Sequence, residues 1–260
     1  MNQHGDFLSH DALATCGAIL DLDGTLIRED RPLPGAARLL ARLEGRFVIA
    51  SNNSSDTAQT LNARLGTLGL PVPADRIVLA GEEALRLIAA RHPGARLLLL
   101  AAPALHDAAR ALGLRPDRTA GEVALLCRDE AFDYAALRRL SDLVRSGAPF
   151  YVANPDLTHP AADGGRVPET GALLAALRAC TGAAAQPEVI GKPGAHLYAR
   201  ALVLLGRPAR RTVVIGDNPD TDIAGAHAYG LDGLLIGTAQ QAIARDPAGL
   251  LRLLDTQADA

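Results

Sequence analysis

Short apolar runs alternate with helix-period stretches along almost the whole chain, and that rhythm restricts the fold more than any other feature. Gly17 to Leu20, Arg46 to Ala50 and Ile77 to Ala80 each read as a short buried strand bounded by turn residues. Helical patterns follow them at Pro34 to Leu43, from Ser55 to about Leu68, and at Glu82 to about Arg91. Pro34 stands at the first of these helices' start and Gly45 beyond its end, the usual asymmetry of helix termini. Strands that alternate with covering helices imply a parallel sheet with both faces buried. The rhythm repeats from Arg96 to Gln186, with strands at Leu97 to Leu100, Val123 to Cys127 and Phe150 to Ala153. The helices of that stretch are His106 to Leu112, Tyr134 to Val144 and Gly171 to Cys180. Core-like strands return at Val189-Ile190, Thr212 to Ile215 and Leu234 to Ile236, and a closing helix is expected over about Gln241 to Leu254. Two Gly/Pro-rich stretches, His92-Pro93-Gly94 and Thr181 to Pro187, serve as boundaries. The expected fold is α/β: a Rossmann-like parallel-sheet core, 1–93 and 187–260, interrupted by an inserted α/β cap over 94–186.

Chemistry-bearing residues gather where these strands end. Asp21-Leu22-Asp23-Gly24-Thr25 follows the first strand, and Gly24 breaks the strand pattern. In open α/β sheets ligands bind outside the carboxyl ends of the strands. Asp21 and Asp23 would share a face if the strand continued through them. Two acids held together there require a cation or a shared proton. Ser51-Asn52-Asn53 follows the second strand and opens a helix, a position that alone suits an N-cap. Gly216-Asp217-Asn218-Pro219-Asp220-Thr221-Asp222 follows the strand that ends at Ile215. Alone it suits a turn with Asp220 or Thr221 as cap. The fourth segment holds Lys192, the single lysine among 26 basic residues, in Val189-Ile190-Gly191-Lys192-Pro193. A compact ammonium differs from the guanidinium used everywhere else in this chain wherever a point charge must meet a carboxylate or phosphate.

Taken together the four segments describe a phosphate chemistry. Carboxylates would repel a phosphate dianion by about 4 kcal/mol per contact at 4 Å in a moderate dielectric. A hard divalent cation reverses that sign. Mg²⁺ takes a few oxygen ligands plus water and substrate phosphate, which suits Asp21, Asp217 and a backbone carbonyl. Lys192 adds a second positive charge, and N–H groups at the start of the helix after Asn52 offer donors to phosphate oxygens. Positioning and charge neutralisation are what phosphoryl transfer needs.

Composition narrows the alternatives. The formal net charge is −3 and no basic block is visible, so a clustered positive face for nucleic acid is not expected. Aromatics are 3% with no Trp, which argues against base-stacking platforms. No apolar run approaches the ~20 residues of a membrane span, and the polar, acid-bearing stretch Met1 to Cys16 does not read as a signal peptide. Cys16, Cys127 and Cys180 are an odd, widely spaced set that fits a reducing, cytoplasmic setting better than a disulfide framework.

These motifs resemble those of the haloacid dehalogenase superfamily of phosphotransferases, through Asp21 to Thr25, Ser51-Asn52-Asn53, Lys192 and Gly216-Asp217 with Asp222. The branch most similar is that of p-nitrophenylphosphatase, pyridoxal phosphatase and NagD-like proteins, which carries a large α/β cap between its second and third motifs. Ala153-Asn154-Pro155-Asp156 and Gly191-Lys192-Pro193 agree with that branch, and the resemblance runs from about Gly17 to Gly237. It implies a Mg²⁺-dependent phosphomonoesterase for small phosphorylated metabolites. Asp21 is then the nucleophile that forms an aspartyl-phosphate, and Asp23 the general acid and base whose carbonyl also binds the metal. Asp217 is a direct metal ligand and Asp222 a partner behind it. Ser51, Asn52, Asn53 and Lys192 hold the phosphate. A homodimer through the cap is part of the same implication. His159-Pro160 matches a cap-loop pair that touches substrate in pyridoxal-phosphatase relatives, and is equally read as a surface loop.

The chain also departs from the branch. Asp23 excludes the dehalogenase and phosphonate-hydrolase members, which lack an acid there. Pro168-Glu169-Thr170-Gly171 stands where relatives often carry Pro-Gly-x-Gly, and Glu169 is expected as a solvated acid at a helix start. Ala101-Ala102-Pro103 stands where relatives often place glycines. Glu82-Glu83 and Arg210-Arg211 are expected on solvated faces, and His10, His92, His106 and His196 at helix ends or the surface. Two other readings use the same features: a phosphotransferase or mutase with this core, and a catalytically weak binding or regulatory protein.

Overall fold

A computed structural model describes residues 16–160, 165–182 and 185–256; the leading segment with His10 lies outside them. The chain divides into two units: 1–51, 59–78 and 192–260 in the first, 52–58 and 79–191 in the second.

The first unit is built on a five-stranded sheet. Its order is Asp232–Leu235, Thr212–Gly216, Gly17–Leu20, Phe47–Ser51, Ile77–Leu79. Gly17–Leu20 pairs in parallel with both Thr212–Gly216 and Phe47–Ser51. Ile19, Leu20, Val48, Ile49, Val214 and Ile215 are all essentially inaccessible, as expected of strands covered on both faces. Chain order runs outward from Gly17–Leu20 in both directions, so the crevice between it and Thr212–Gly216 is the topological switch point. The helix Ala36–Leu43 buries Ala36, Leu39, Leu40 and Leu43, one stripe at helical spacing.

The second unit has its own five-stranded sheet, ordered Glu188–Val189, Phe150–Val152, Val123–Leu126, Arg96–Leu100, Arg115–Asp117, with neighbouring strands parallel throughout. Leu98, Leu100, Ala124, Leu126, Phe150 and Val152 form one side of its core. Helices Tyr134–Arg145 and Thr170–Thr181 supply Leu140, Val144, Leu174 and Leu177. A hairpin, Thr158–Pro160 with Arg166–Pro168, stands apart from the sheet.

Several local expectations change in the folded chain. The helix Ala80–Arg91 groups with the second unit, whereas the sequence boundary at 93 assigns it to the first. A side chain at Gly81 would meet Leu105 at 2.9 Å, Arg91 pairs with Glu188, and His92 bonds the Tyr151 hydroxyl at 3.0 Å. Glu82 is buried rather than solvated, because its carboxylate accepts the Ala58 N–H at 3.0 Å and satisfies an orphan donor at a helix start. The closing helix is Pro247–Thr256, six residues later than its expected start. Pro247 takes the first helical position and Asp246 caps it by accepting the Gly249 N–H at 2.7 Å. Likewise Pro103 starts the helix Pro103–Ala111 three residues before His106. The hairpin Ile27–Arg28 with Arg31–Pro32 and the strand Arg115–Asp117 are too short to show a period in the sequence. Among the described residues no helix is long and apolar enough to cross a membrane.

Candidate active site

Register alone brings two distant segments together. Leu20 lies opposite Ile215, so Asp21 and Gly216-Asp217 leave adjacent strands side by side, and the Asp21 N–H donates to the Ile215 carbonyl at 2.9 Å. The strand ends at Leu20 instead of running on through Asp23. The chain turns, with the Gly24 N–H donating to the Ile27 carbonyl at 2.7 Å. Asp21 is therefore buried and Asp23 exposed, and the two do not form one strand face. Thr25 returns to donate its hydroxyl to Asp21 Oδ2 at 3.1 Å.

Lys192 enters between the strand Glu188–Val189 and the helix Ala195–Leu205, and is only 2% exposed. Its Nζ donates to Asp21 Oδ1 at 2.7 Å and to Asp222 Oδ1 at 2.6 Å. Asp222 Oδ2 accepts the Asn218 N–H at 3.1 Å. The turn Pro219–Ile223 is a single π-type turn. Its cap is Asn218, whose side chain accepts from the N–H groups of Asp220 and Thr221, so neither Asp220 nor Thr221 caps it. Tyr198 directs its hydroxyl at the carbonyls of Thr221 and Asp222, 2.9 and 3.0 Å away, and holds the turn from the helix side. Asn218→Ala is expected to lower the unfolding free energy by about 1 kcal/mol, read as a shifted urea midpoint at constant slope.

Charge at this cluster is unbalanced. Carboxylate oxygens of Asp21, Asp217 and Asp222 all lie within 4.8 Å of one another, with one ammonium among them. Burial, followed by the Asp222 charge, pushes the Asp21 carboxyl well above its ordinary range. The same two causes raise Asp217 to about 6. Burial works against the Lys192 ammonium, but Asp21 and Asp222 outweigh it and raise Lys192 above its ordinary value. Three carboxylates against one ammonium leave two negative charges when all are ionised. A hard divalent cation matches both that charge and an all-oxygen donor set.

Sterics keep the space beside Asp217 open. Gly24 has φ +85, and a Cβ there would fall 1.9 Å from Asp217 Oδ2. Glycine is required at that position for both the backbone and the clearance. A Cβ on Gly216 would likewise fall 2.3 Å from Asp222 Oδ2. Asp21, Asp217 and Asp222 thus fit a cation, with Asp217 on the side that Gly24 leaves clear.

Of the sequence candidates, the first unit brings together Asp21, Lys192, Asp217 and Asp222. Ser51, buried, ends the neighbouring strand at the same carboxyl edge. Asn52, Asn53 and His159 belong to the second unit. There the Asn52 amide donates to Asp156 Oδ2 at 3.0 Å. Asn53 Oδ1 accepts the N–H groups of Ser55 and Asp56 at 2.9 and 2.8 Å, a local turn. His159 bonds Glu169 at 2.7 Å, so Glu169 is a half-buried partner and not a solvated acid. Thr25, Tyr198 and Asn218 are the contributors that sequence reading left without a role. Thr25 and Asn218 stood inside the motifs, whereas Tyr198 is one aromatic on an apolar helix and carried no signal.

Two family profiles match this chain. The haloacid dehalogenase-like hydrolase profile covers residues 18–115, and the HAD-hydrolase-like profile covers residues 189–248. D-glycerol 3-phosphate phosphatase of Mycobacterium tuberculosis is 35% identical over 235 residues, 88% of this chain and 63% of that protein. This chain therefore spans less than two thirds of that relative's length. Dihydroxyacetone phosphatase of Corynebacterium glutamicum is 32% identical, with 84% of this chain and 79% of that protein covered. Among solved structures, glycerol phosphate phosphatase of M. tuberculosis in complex with magnesium superposes with a TM-score of 0.80 at 32% identity, covering 88% of this chain and 70% of that one.

Proposed function

The chain belongs to the haloacid dehalogenase-like hydrolases, in the branch of the phosphatases just named, and from that premise we propose that it is a Mg²⁺-dependent phosphatase of small phosphomonoesters that works through an aspartyl-phosphate. The observation that carries this reading is the buried cluster itself: a carboxylate at the switch point of a parallel sheet, bonded to the chain's only lysine and facing two more carboxylates.

Asp21 Oδ2, bonded to Thr25, is the oxygen that attacks phosphorus, while Oδ1 stays on Lys192. The P–O bond to the alcohol breaks as the Asp21–phosphate bond forms. Asp23, exposed at the turn, gives its proton to the departing alkoxide and then takes one from the water that cleaves the acyl phosphate. Inorganic phosphate leaves and Asp21 is regenerated. Lys192 and Ser51 hold phosphate oxygens, joined by Asn52 and Asn53 in the loop that follows. Asp222 holds Lys192 in place from its other side. Asp21, Asp217 and the Asp23 carbonyl would bind Mg²⁺, which supplies positive charge against the phosphate dianion.

In this reading the first unit is the catalytic core and the second the cap that selects substrate. The protein works in the cytoplasm, which its three unpaired cysteines support, and a homodimer through the second unit belongs to the reading as well. Light scattering tests the last point.

The deciding experiment is release of inorganic phosphate from glycerol 3-phosphate in Mg²⁺ buffer with no acceptor alcohol. Turnover is expected. Turnover that demands an acceptor makes the enzyme a phosphotransferase, and none on any phosphomonoester overturns the reading. Mg²⁺ at a hundred times its Kd is expected to raise the unfolding free energy by about 2.7 kcal/mol. Asp217→Asn should remove most of that gain, as read by thermal unfolding with and without the ion.

A further inference from the structure

Tyr198 lies on the helix Ala195–Leu205 in the first unit and is wholly buried. A buried phenol needs a partner for its hydroxyl. Here the hydroxyl donates toward two carbonyls, those of Thr221 at 2.9 Å and Asp222 at 3.0 Å. Both belong to the π-type turn Pro219–Ile223. A turn that wide interrupts the regular helical ladder, and such turns recur at functional sites. The ring stacks on Tyr229 with centroids 6.0 Å apart. Gly225 leaves room for the hydroxyl, because a Cβ there would fall 2.7 Å from its oxygen.

Asp222 is held twice from this side of the fold. Lys192, just before the helix, donates Nζ to Asp222 Oδ1 at 2.6 Å, and Tyr198, on the helix, donates to the main chain of the same aspartate. Side chain and backbone are both fixed, so Asp222 has little freedom to turn. Its other oxygen, Oδ2, takes the Asn218 N–H at 3.1 Å, and Asn218 follows Asp217 directly. The hydroxyl thus stands behind two groups at once. One is the ammonium that also bonds Asp21 Oδ1 at 2.7 Å. The other is Asp217, on the side that Gly24 leaves clear.

We propose that Tyr198 is a positioning residue whose hydroxyl holds the turn, so that Asp222 stays on Lys192 and Asp217 stays in place for the cation. Without that oxygen the turn relaxes, and Asp222 is free to swing toward the ion or to draw the ammonium off Asp21. Groups one step behind metal ligands commonly change affinity or activity ten- to a hundredfold when removed. This rests on the phosphatase reading above and adds a residue that none of the strand-end motifs contains.

The test is Tyr198→Phe, which keeps the ring and its stacking and removes one oxygen. Mg²⁺ binding is measured by titration calorimetry without substrate. The variant is expected to bind Mg²⁺ about tenfold more weakly and to lose about tenfold in kcat on glycerol 3-phosphate, with KM little changed. The urea midpoint of the metal-free protein should move little. In an Asp222→Ala background the same substitution should add little further loss of Mg²⁺ affinity, because the hydroxyl acts through that residue. A variant that binds Mg²⁺ as the wild type does, whatever its stability, overturns the proposal and leaves the phosphatase reading standing. A wild type that binds no Mg²⁺ overturns both. Should Tyr198→Phe fail to fold, NMR of the wild-type hydroxyl proton decides. That proton is expected to exchange slowly and to shift when Mg²⁺ is added; one indifferent to Mg²⁺ overturns the proposal.

Discussion

Asp21→Asn is expected to lower phosphate release by about four orders of magnitude or more while leaving the fold intact. The amide matches the carboxylate in size, so packing beside Leu20 and the Thr25 contact are kept. What disappears is the anionic oxygen that attacks phosphorus and, with it, one ligand of the cation. Stability should move the other way. Burial and the Asp222 charge already push the Asp21 carboxyl well above its ordinary range, and Asp217 adds to the repulsion. Removing one of three crowded negative charges relieves the metal-free protein, so its Tm should hold or rise. Active sites commonly trade stability for chemistry in this way. Unchanged phosphate release in Asp21→Asn refutes the nucleophile, and a collapsed fold refutes the account of the site's electrostatics.

Lys192→Met should damage both properties. Methionine fills a similar volume but leaves Asp21 and Asp222 buried without their shared cation. Breaking a buried ion pair by deleting one partner costs about 3–5 kcal/mol. A drop of that size is read directly in a urea midpoint. Activity should fall a further 10²–10³-fold, about the cost of losing one donor preorganised for transition-state charge. Lys192→Arg should not rescue either property. The site is 2% exposed and two carboxylate oxygens converge on one nitrogen at 2.7 and 2.6 Å, which a planar fork does not match. The two substitutions are informative as a pair: stability is kept in the first and lost in the second. A wild-type midpoint in Lys192→Met means that Nζ is not the shared partner of the two acids.

Much of this was open to reading along the chain. Four- and five-residue apolar runs such as Phe47–Ser51 and Thr212–Gly216 are strands because both their faces are covered, and that leaves a continuous apolar signature. Elements too short to show a period did not register: the hairpin Ile27–Arg28 with Arg31–Pro32 has two residues a side. Capping was misjudged where several polar residues competed. Asn218 won over Asp220 and Thr221 because its side chain alone precedes the turn and can turn back onto two N–H groups. Charged residues were the hardest. Glu82 and Glu169 look like solvated acids by type, and only their partners, the Ala58 N–H and His159, explain their burial.

By itself the chain's sequence determined where the apolar core strands run, which polar residues follow them, and that one lysine survives among arginines. These are local facts, written in backbone periodicity and turn chemistry within about ten residues. The folded structure alone decided that Asp21, placed 171 residues before Lys192, shares its ammonium with Asp222, 30 residues after it. Strand order and register set that meeting, because Leu20 opposite Ile215 aims two loops into one crevice. Which side chains meet across such distances is a property of pairing between strands, and no single stretch of sequence carries it.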